Sequence, residues 1–189
     1  MTLYLIGLGL DKNSITLAGL EAIKSSKELY LDTYTALANK KKLEELFKKP
    51  IIEADRNLLE NNIDDIINKA KNDNISILIP GDVFSATTHI IIYNRAKELN
   101  INVKVINNAS ILTAIGITGL DIYKFGRTTT IPLNNKNLTS PIEIINNNLK
   151  NNLHSLILLQ SICVSEFFYN NWRILDHRRF NLKSMKHMK

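Results

Sequence analysis

The chain has 189 residues, 44% of them hydrophobic, a net charge of +6 and one cysteine, Cys163. That is enough apolar material for one domain with a real core, which excludes global disorder. The lone cysteine excludes an internal disulfide and a multi-cysteine metal site, and no metal is expected.

Leu3 to Leu8 reads as a strand running into Gly7-Leu8-Gly9-Leu10, and Thr16 is placed to cap a helix carrying Leu17, Leu20 and Ile23 on one face. Glu28 to Leu31 is a second short strand, ending near Asp32-Thr33-Tyr34. A charged helix follows through Leu43, Leu46 and Phe47 and stops before Pro50, with a brief strand at Ile51-Ile52. From Leu58 the spacing of Leu59, Ile63, Ile66, Ile67 and Ala70 predicts one amphipathic helix. Ile75 to Ile79 is almost wholly apolar and β-branched, as a strand buried on both faces should be.

After the run Pro80 to His89, Ile92, Ala96 and Leu99 fall at helical spacing, with Ser85 as the expected cap. Asn102 to Ile106 is the next strand, and Asn108-Ala109-Ser110 opens a helix through Ile115. Ser140-Pro141-Ile142-Glu143 reads as a capping box ahead of a helix with Ile142, Ile145, Leu149 and Leu153 in register, and Ser155 to Leu159 as a last buried strand. The alternation of strand and helix predicts an α/β fold with a parallel sheet. The expected organisation is a domain over 1–160, including the start of a second domain, and a divergent basic tail over 161–189, where Arg173, Arg178, Arg179 and terminal lysines dominate.

The lysines elsewhere, such as Lys40-Lys41-Lys42, are scattered and lack interleaved aromatics, which points to a solvated surface and not to a nucleic-acid groove. The apolar start meets Asp11 too soon for a signal peptide, and no stretch is long enough to span a bilayer. The expectation is a soluble cytoplasmic protein with no membrane or nucleic-acid partner.

Open α/β sheets place ligands at the carboxyl ends of their strands. The Pro80-Gly81-Asp82 corner is such a place, and Asp82 either meets a ligand or holds the turn. Gly7-x-Gly9 lacks the third glycine of a dinucleotide fingerprint, because that position is Lys12; the two glycines allow close approach of a ligand or of a neighbouring backbone. Ser110 can donate to a ligand or cap its helix, and Tyr123-Lys124-Phe125-Gly126 can form an aromatic–basic wall or an exposed loop. His89 and His154 lack a second ligand at metal-binding spacing and read as structural. No acid–base pair stands out, which suits methyl transfer from a sulfonium, a reaction that needs in-line approach more than a strong base.

In order and spacing these segments resemble diphthine synthases, methyltransferases of the tetrapyrrole-methylase superfamily. The likeness runs from Leu3 to about Leu159 through Leu3-Tyr4-Leu5-Ile6-Gly7-Leu8-Gly9-Leu10, Ile15-Thr16, Gly19-Leu20-Glu21, Tyr30-Leu31 and Tyr34-Thr35. It continues through Gly81-Asp82, Phe84, Ala86-Thr87-Thr88-His89, Asn108-Ala109-Ser110-Ile111, Gly119-Leu120, Tyr123-Lys124-Phe125-Gly126 and His154-Ser155-Leu156. The resemblance implies S-adenosyl-L-methionine as cofactor, the modified histidine of elongation factor 2 as substrate, and a possible homodimer. It implies cofactor contacts at Leu10, Asp82, Ser85, Ser110, Ile111 and Leu159, and names no catalytic base.

The chain departs from the family pattern at Asp11, Val83 and Ser85, where the family has glycine, proline and glycine, and at Gln160, where it has aspartate. A Ser85 side chain is expected to crowd the cofactor. Most of the family's second α/β domain is expected to be missing, leaving the strand at Ser155 to Leu159 uncovered. Two other readings fit the same residues: a non-catalytic remnant of the family, or a precorrin-type tetrapyrrole methylase.

Overall fold

The computed structural model describes residues 1–11, 13–35, 38–131, 139–159 and 172–175. They fall into two compact units, one of residues Met1–Ala114 and one that begins at Ile115.

The first unit is a five-stranded parallel sheet in the order β3-β2-β4-β1-β5. Its strands are β1 (Leu3–Gly7), β2 (Glu28–Asp32), β3 (Ile52–Ala54), β4 (Ile75–Ile79) and β5 (Val103–Ile106). Its helices are α1 (Leu17–Ser25), α2 (Lys40–Phe47), α3 (Arg56–Glu60), α4 (Ile63–Lys69), α5 (Ile90–Glu98) and the one-turn α6 (Ile111–Ala114). The parallel α/β fold expected from the alternation is the one observed.

Side chains on a strand alternate between faces, and the two cores follow that period. Leu3, Leu5, Tyr30, Ile75, Ile77 and Ile79 pack with Leu59, Ile63, Ile66, Ile92 and Ala96 of α3, α4 and α5. Ile6, Leu29, Leu31 and Leu78 join Ala22, Ile23, Leu43 and Phe47 of α1 and α2 in the other cluster. The central strands β1 and β4 are therefore apolar at nearly every position. The exception in β4, Ser76, is fully buried and shares a 2.7 Å hydrogen bond with Ser26 at the end of α1.

Several local expectations are corrected. Thr16 caps α1 as expected, its Oγ1 accepting from Gly19 N–H at 3.0 Å, but Leu17 is exposed. Gly19 and Ala22 face the sheet instead, because a Cβ at Gly19 would stand 3.2 Å from Ile6 Cγ2; the helix sits too close for a larger residue. The helix read from Leu58 is two short ones, since the N–H groups of Asn61 and Asn62 both bond Asn57 O and close the first. Ser85 does not cap α5, which begins five residues later after His89.

The second unit contains two 3-10 turns (Ile115–Thr118 and Ile122–Lys124), β6 (Thr129–Ile131), α7 (Thr139–Lys150), β7 (Ser155–Leu159) and β8 (Trp172–Leu175). β7 lies between β6, parallel to it, and β8, antiparallel. Ser140 and Pro141 lie inside α7, so the capping box is not formed; Pro141 is tolerated there because first-turn N–H groups have no helical partner. Leu156 and Ile157 are buried, so β7 is not the uncovered strand that was expected. Of the proposed basic tail, all but 172–175 lies outside the described residues, as does Gln160.

Asn148 organises this unit. It is buried, its Oδ1 accepts from Arg127 N–H at 3.0 Å, and its Nδ2 donates to Arg127 O at 2.9 Å and Ser155 Oγ at 3.0 Å. Replacing it by alanine removes three hydrogen bonds, two of them to the backbone of the segment leading into β6. Asn148→Ala is expected to cost about 2–3 kcal/mol, measured by urea denaturation.

Candidate functional site

The chain leaves β1 for β2 in one direction across the sheet and leaves β4 for β5 in the other. The two connections run on opposite faces of the sheet, α1 packing in one core and α5 in the other. This leaves a crevice at the carboxyl ends of these adjacent strands, where the loops after β1, β4 and β5 meet.

Beyond the strand ends, Gly9 and Gly81 bond reciprocally through their backbones, Gly9 N–H to Gly81 O at 3.0 Å and Gly81 N–H to Gly9 O at 2.9 Å. Both have positive φ, +75° and +82°, a region that side-chain-bearing residues rarely adopt. So the glycines after β1 serve a close approach of neighbouring backbone, one of the two uses the sequence left open.

Asp82 follows that bridge. Its Oδ1 accepts from Phe84 N–H at 3.0 Å, Ser85 N–H at 3.1 Å and Ser85 Oγ at 2.9 Å, all within its own turn. Its Oδ2 accepts from Asn108 N–H in the loop after β5, at 3.1 Å. Partial burial pushes the carboxyl up, but the N–H groups of Phe84 and Asn108 and the donors of Ser85 outweigh it and hold Asp82 below the usual range. It is a carboxylate at neutral pH, with acceptor capacity left on Oδ2.

The other expected site residues of this unit stand around the same loops. Leu10 is half-buried on the turn after β1, and Ile111 half-buried at the start of α6. Ser110 is buried and caps α6, its Oγ accepting from Leu112 N–H at 3.1 Å. Ser85 turns its hydroxyl back onto Asp82. Val83 is fully buried in the core. Leu159 ends β7 in the second unit, half-buried. Also in that unit, Tyr123 is 94% exposed, whereas the half-buried Phe125 packs on the His154 ring with centroids 5.3 Å apart, so the two aromatics of the run differ in setting.

One pair escaped the sequence. Asp32, at the end of β2, and His89, after β4, are buried together with Nε2 3.3 Å from Oδ2. Asp32 also accepts from Tyr34 N–H at 2.8 Å, Thr35 N–H at 3.1 Å and the Thr35 hydroxyl. His89 Nδ1 is buried without a partner among the described residues. The imidazole lines a cavity of about 10 Å³, near the size of one water, with Tyr34, Leu59, Glu60, Thr88, Ile91 and Ile92. The two residues stand far apart in sequence, and only the β2–β4 pairing, with Leu31 opposite Leu78, brings them together. Among the described residues no three His, Cys, Asp or Glu side chains gather closely enough to hold a metal ion.

Burial, the largest influence, pushes the Asp32 carboxyl up, but the bonds from His89 and Thr35 together hold it below its ordinary 3.8. Asp32 therefore contributes stability that is fully present above that value and lost as the pH falls through its lower folded value. Asp32→Asn is expected to flatten the acid limb of the stability curve below pH 3.8, measured by urea unfolding at successive pH values.

Residues 2–169 match the family model described as Tetrapyrrole (Corrin/Porphyrin) Methylases. The chain is 44% identical over 174 residues to a diphthine methyl ester synthase of Aspergillus fumigatus, covering 89% of this chain and 61% of that protein. It is 45% identical over 173 residues to one of Schizosaccharomyces pombe, with the same coverages. A solved diphthine synthase superposes with a TM-score of 0.79 at 34% identity, over 85% of this chain and 64% of that one. A putative diphthine synthase from Entamoeba histolytica gives 0.71 at 41%, over 84% and 62%. The chain thus spans about three fifths of the length of the curated relatives it matches.

Proposed function

Because the chain belongs to the tetrapyrrole (corrin/porphyrin) methylase family, we propose that it is an S-adenosyl-L-methionine-dependent methyltransferase. Its proposed substrate is the modified histidine of elongation factor 2 in diphthamide biosynthesis, with diphthine or its methyl ester as product. The setting is the cytoplasm and the working form a homodimer. The names of the relatives, diphthine methyl ester synthase in two fungi, favour this substrate over a precorrin.

The observation that carries the reading is an ionised carboxylate, Asp82, with Oδ2 able to accept a further donor beside a backbone-to-backbone glycine bridge. Such an acceptor fits the cationic or hydroxyl-bearing end of the cofactor. Asp82 would hold that end; Ser85 keeps the carboxylate oriented; Leu10 and Ile111 offer apolar contact; Ser110 fixes the start of α6. For Leu159 a cofactor contact rests on the family resemblance alone. When bound, the cofactor supplies an electrophilic methyl group on a sulfonium. The chain's part is to hold donor and acceptor in line, and no catalytic base is assigned.

Titration calorimetry tests the reading. The chain is expected to bind S-adenosyl-L-methionine in the micromolar range, and Asp82→Ala to weaken binding about a hundredfold or more, the loss of a charge-assisted contact. Transfer of labelled methyl to elongation factor 2 carrying the unmethylated histidine derivative should accompany it. No binding by the unaltered chain would overturn the proposal.

A further inference from the structure

We propose that Asn108 is a positioning residue that sets the ligand-facing oxygen of Asp82. The inference deepens the cofactor reading and rests on it for the ligand, but its central claim concerns the free protein.

Asn108 Nδ2 donates to Gly7 O and to Ser14 O, both at 2.9 Å, and Oδ1 accepts from Ala109 N–H at 2.7 Å. One side chain thus grips the segment after β1 at two places and the segment leading to α6. Its own backbone N–H is the donor to Asp82 Oδ2. The fit is close: a Cβ at Gly7 would lie 3.0 Å from Asn108 Cβ, and one at Gly9 would lie 2.9 Å from Asn108 Oδ1. Gly7 and Gly9 are therefore the seat of this amide.

The two oxygens of Asp82 are held differently. Oδ1 is committed to three donors of its own turn, a local arrangement that travels with the loop. Among the described residues, Oδ2 is tied to another loop through the Asn108 N–H, and that N–H is held in place by the Asn108 side chain. Removing the amide leaves the donor on the backbone but frees the backbone that carries it. Aspartate at this position would lack the two Nδ2 donors, and glutamine is one methylene too long for the seat.

The test uses the full chain, without ligand first. In the unaltered protein the Asn108 amide is expected to exchange with solvent slowly, and the Asp82 carboxyl to titrate low by carbon-13 NMR. In Asn108→Ala, and in the milder Asn108→Ser, the amide should exchange at least tenfold faster and Asp82 should titrate at higher pH. Affinity for S-adenosyl-L-methionine should fall about tenfold, the worth of one hydrogen bond. A merely structural Asn108 would lower the melting temperature without moving the Asp82 titration.

Unchanged exchange and titration in a folded variant would overturn the proposal, as would rapid exchange of the Asn108 amide in the unaltered chain. If the unaltered chain binds no cofactor while Asp82 still shifts in the variants, the positioning role stands and the cofactor reading fails.

Discussion

The reciprocal bond between Gly9 and Gly81 is the constraint on which the candidate site depends. Parallel strands end with their last N–H and C=O groups unpaired, and loops leaving them normally diverge. Here the loops after β1 and β4 are joined again two residues past the strand ends by a backbone pair that holds Asp82 against the β5 loop. Both glycines stand at positive φ, so a side chain at either would strain the turn that makes the bridge. The carboxylate is fixed by backbone, which loses little entropy on meeting a ligand.

Two aspartates at neighbouring strand ends illustrate how surroundings divide roles. Both are held below the usual carboxylate range against the pull of burial. Asp32 is fully buried and has both oxygens engaged, one with the backbone of Tyr34 and Thr35 and the other with His89 and the Thr35 hydroxyl. Its place is internal, stitching β2 to the segment after β4. Asp82 is half-buried and keeps an oxygen with capacity at the edge of the crevice. Similar chemistry thus serves the scaffold in one case and leaves an acceptor at the crevice in the other.

The same economy appears in the second unit, where Asn148 performs with a neutral amide what Asp32 does with a charge. It satisfies both backbone groups of Arg127 and reaches Ser155 at the start of β7. A Cβ at Gly126 would lie 3.1 Å from its Nδ2, so the small residue before Arg127 is part of the same fit.

Period-two and period-3.6 patterns are local, and they determined most of the fold by themselves. Ile75 to Ile79 and Ser155 to Leu159 are strands with the bounds the sequence predicts, and the alternation of elements fixed a parallel sheet. The meeting of loops at Asp82 was partly legible, since a Pro-Gly-Asp corner after a buried strand marks a candidate site. Helix starts were less so: Ser85 has a cap's chemistry but a nearer partner in Asp82, and Ser140 sits inside a helix already begun. What only the tertiary structure decided is which loops become neighbours. Inserting β4 between β2 and β1 brings His89 to Asp32 and Gly81 to Gly9, and placing β5 beside β1 brings Asn108 to Gly7 and Asp82. Those contacts join residues far apart in the chain, and no local spacing encodes them.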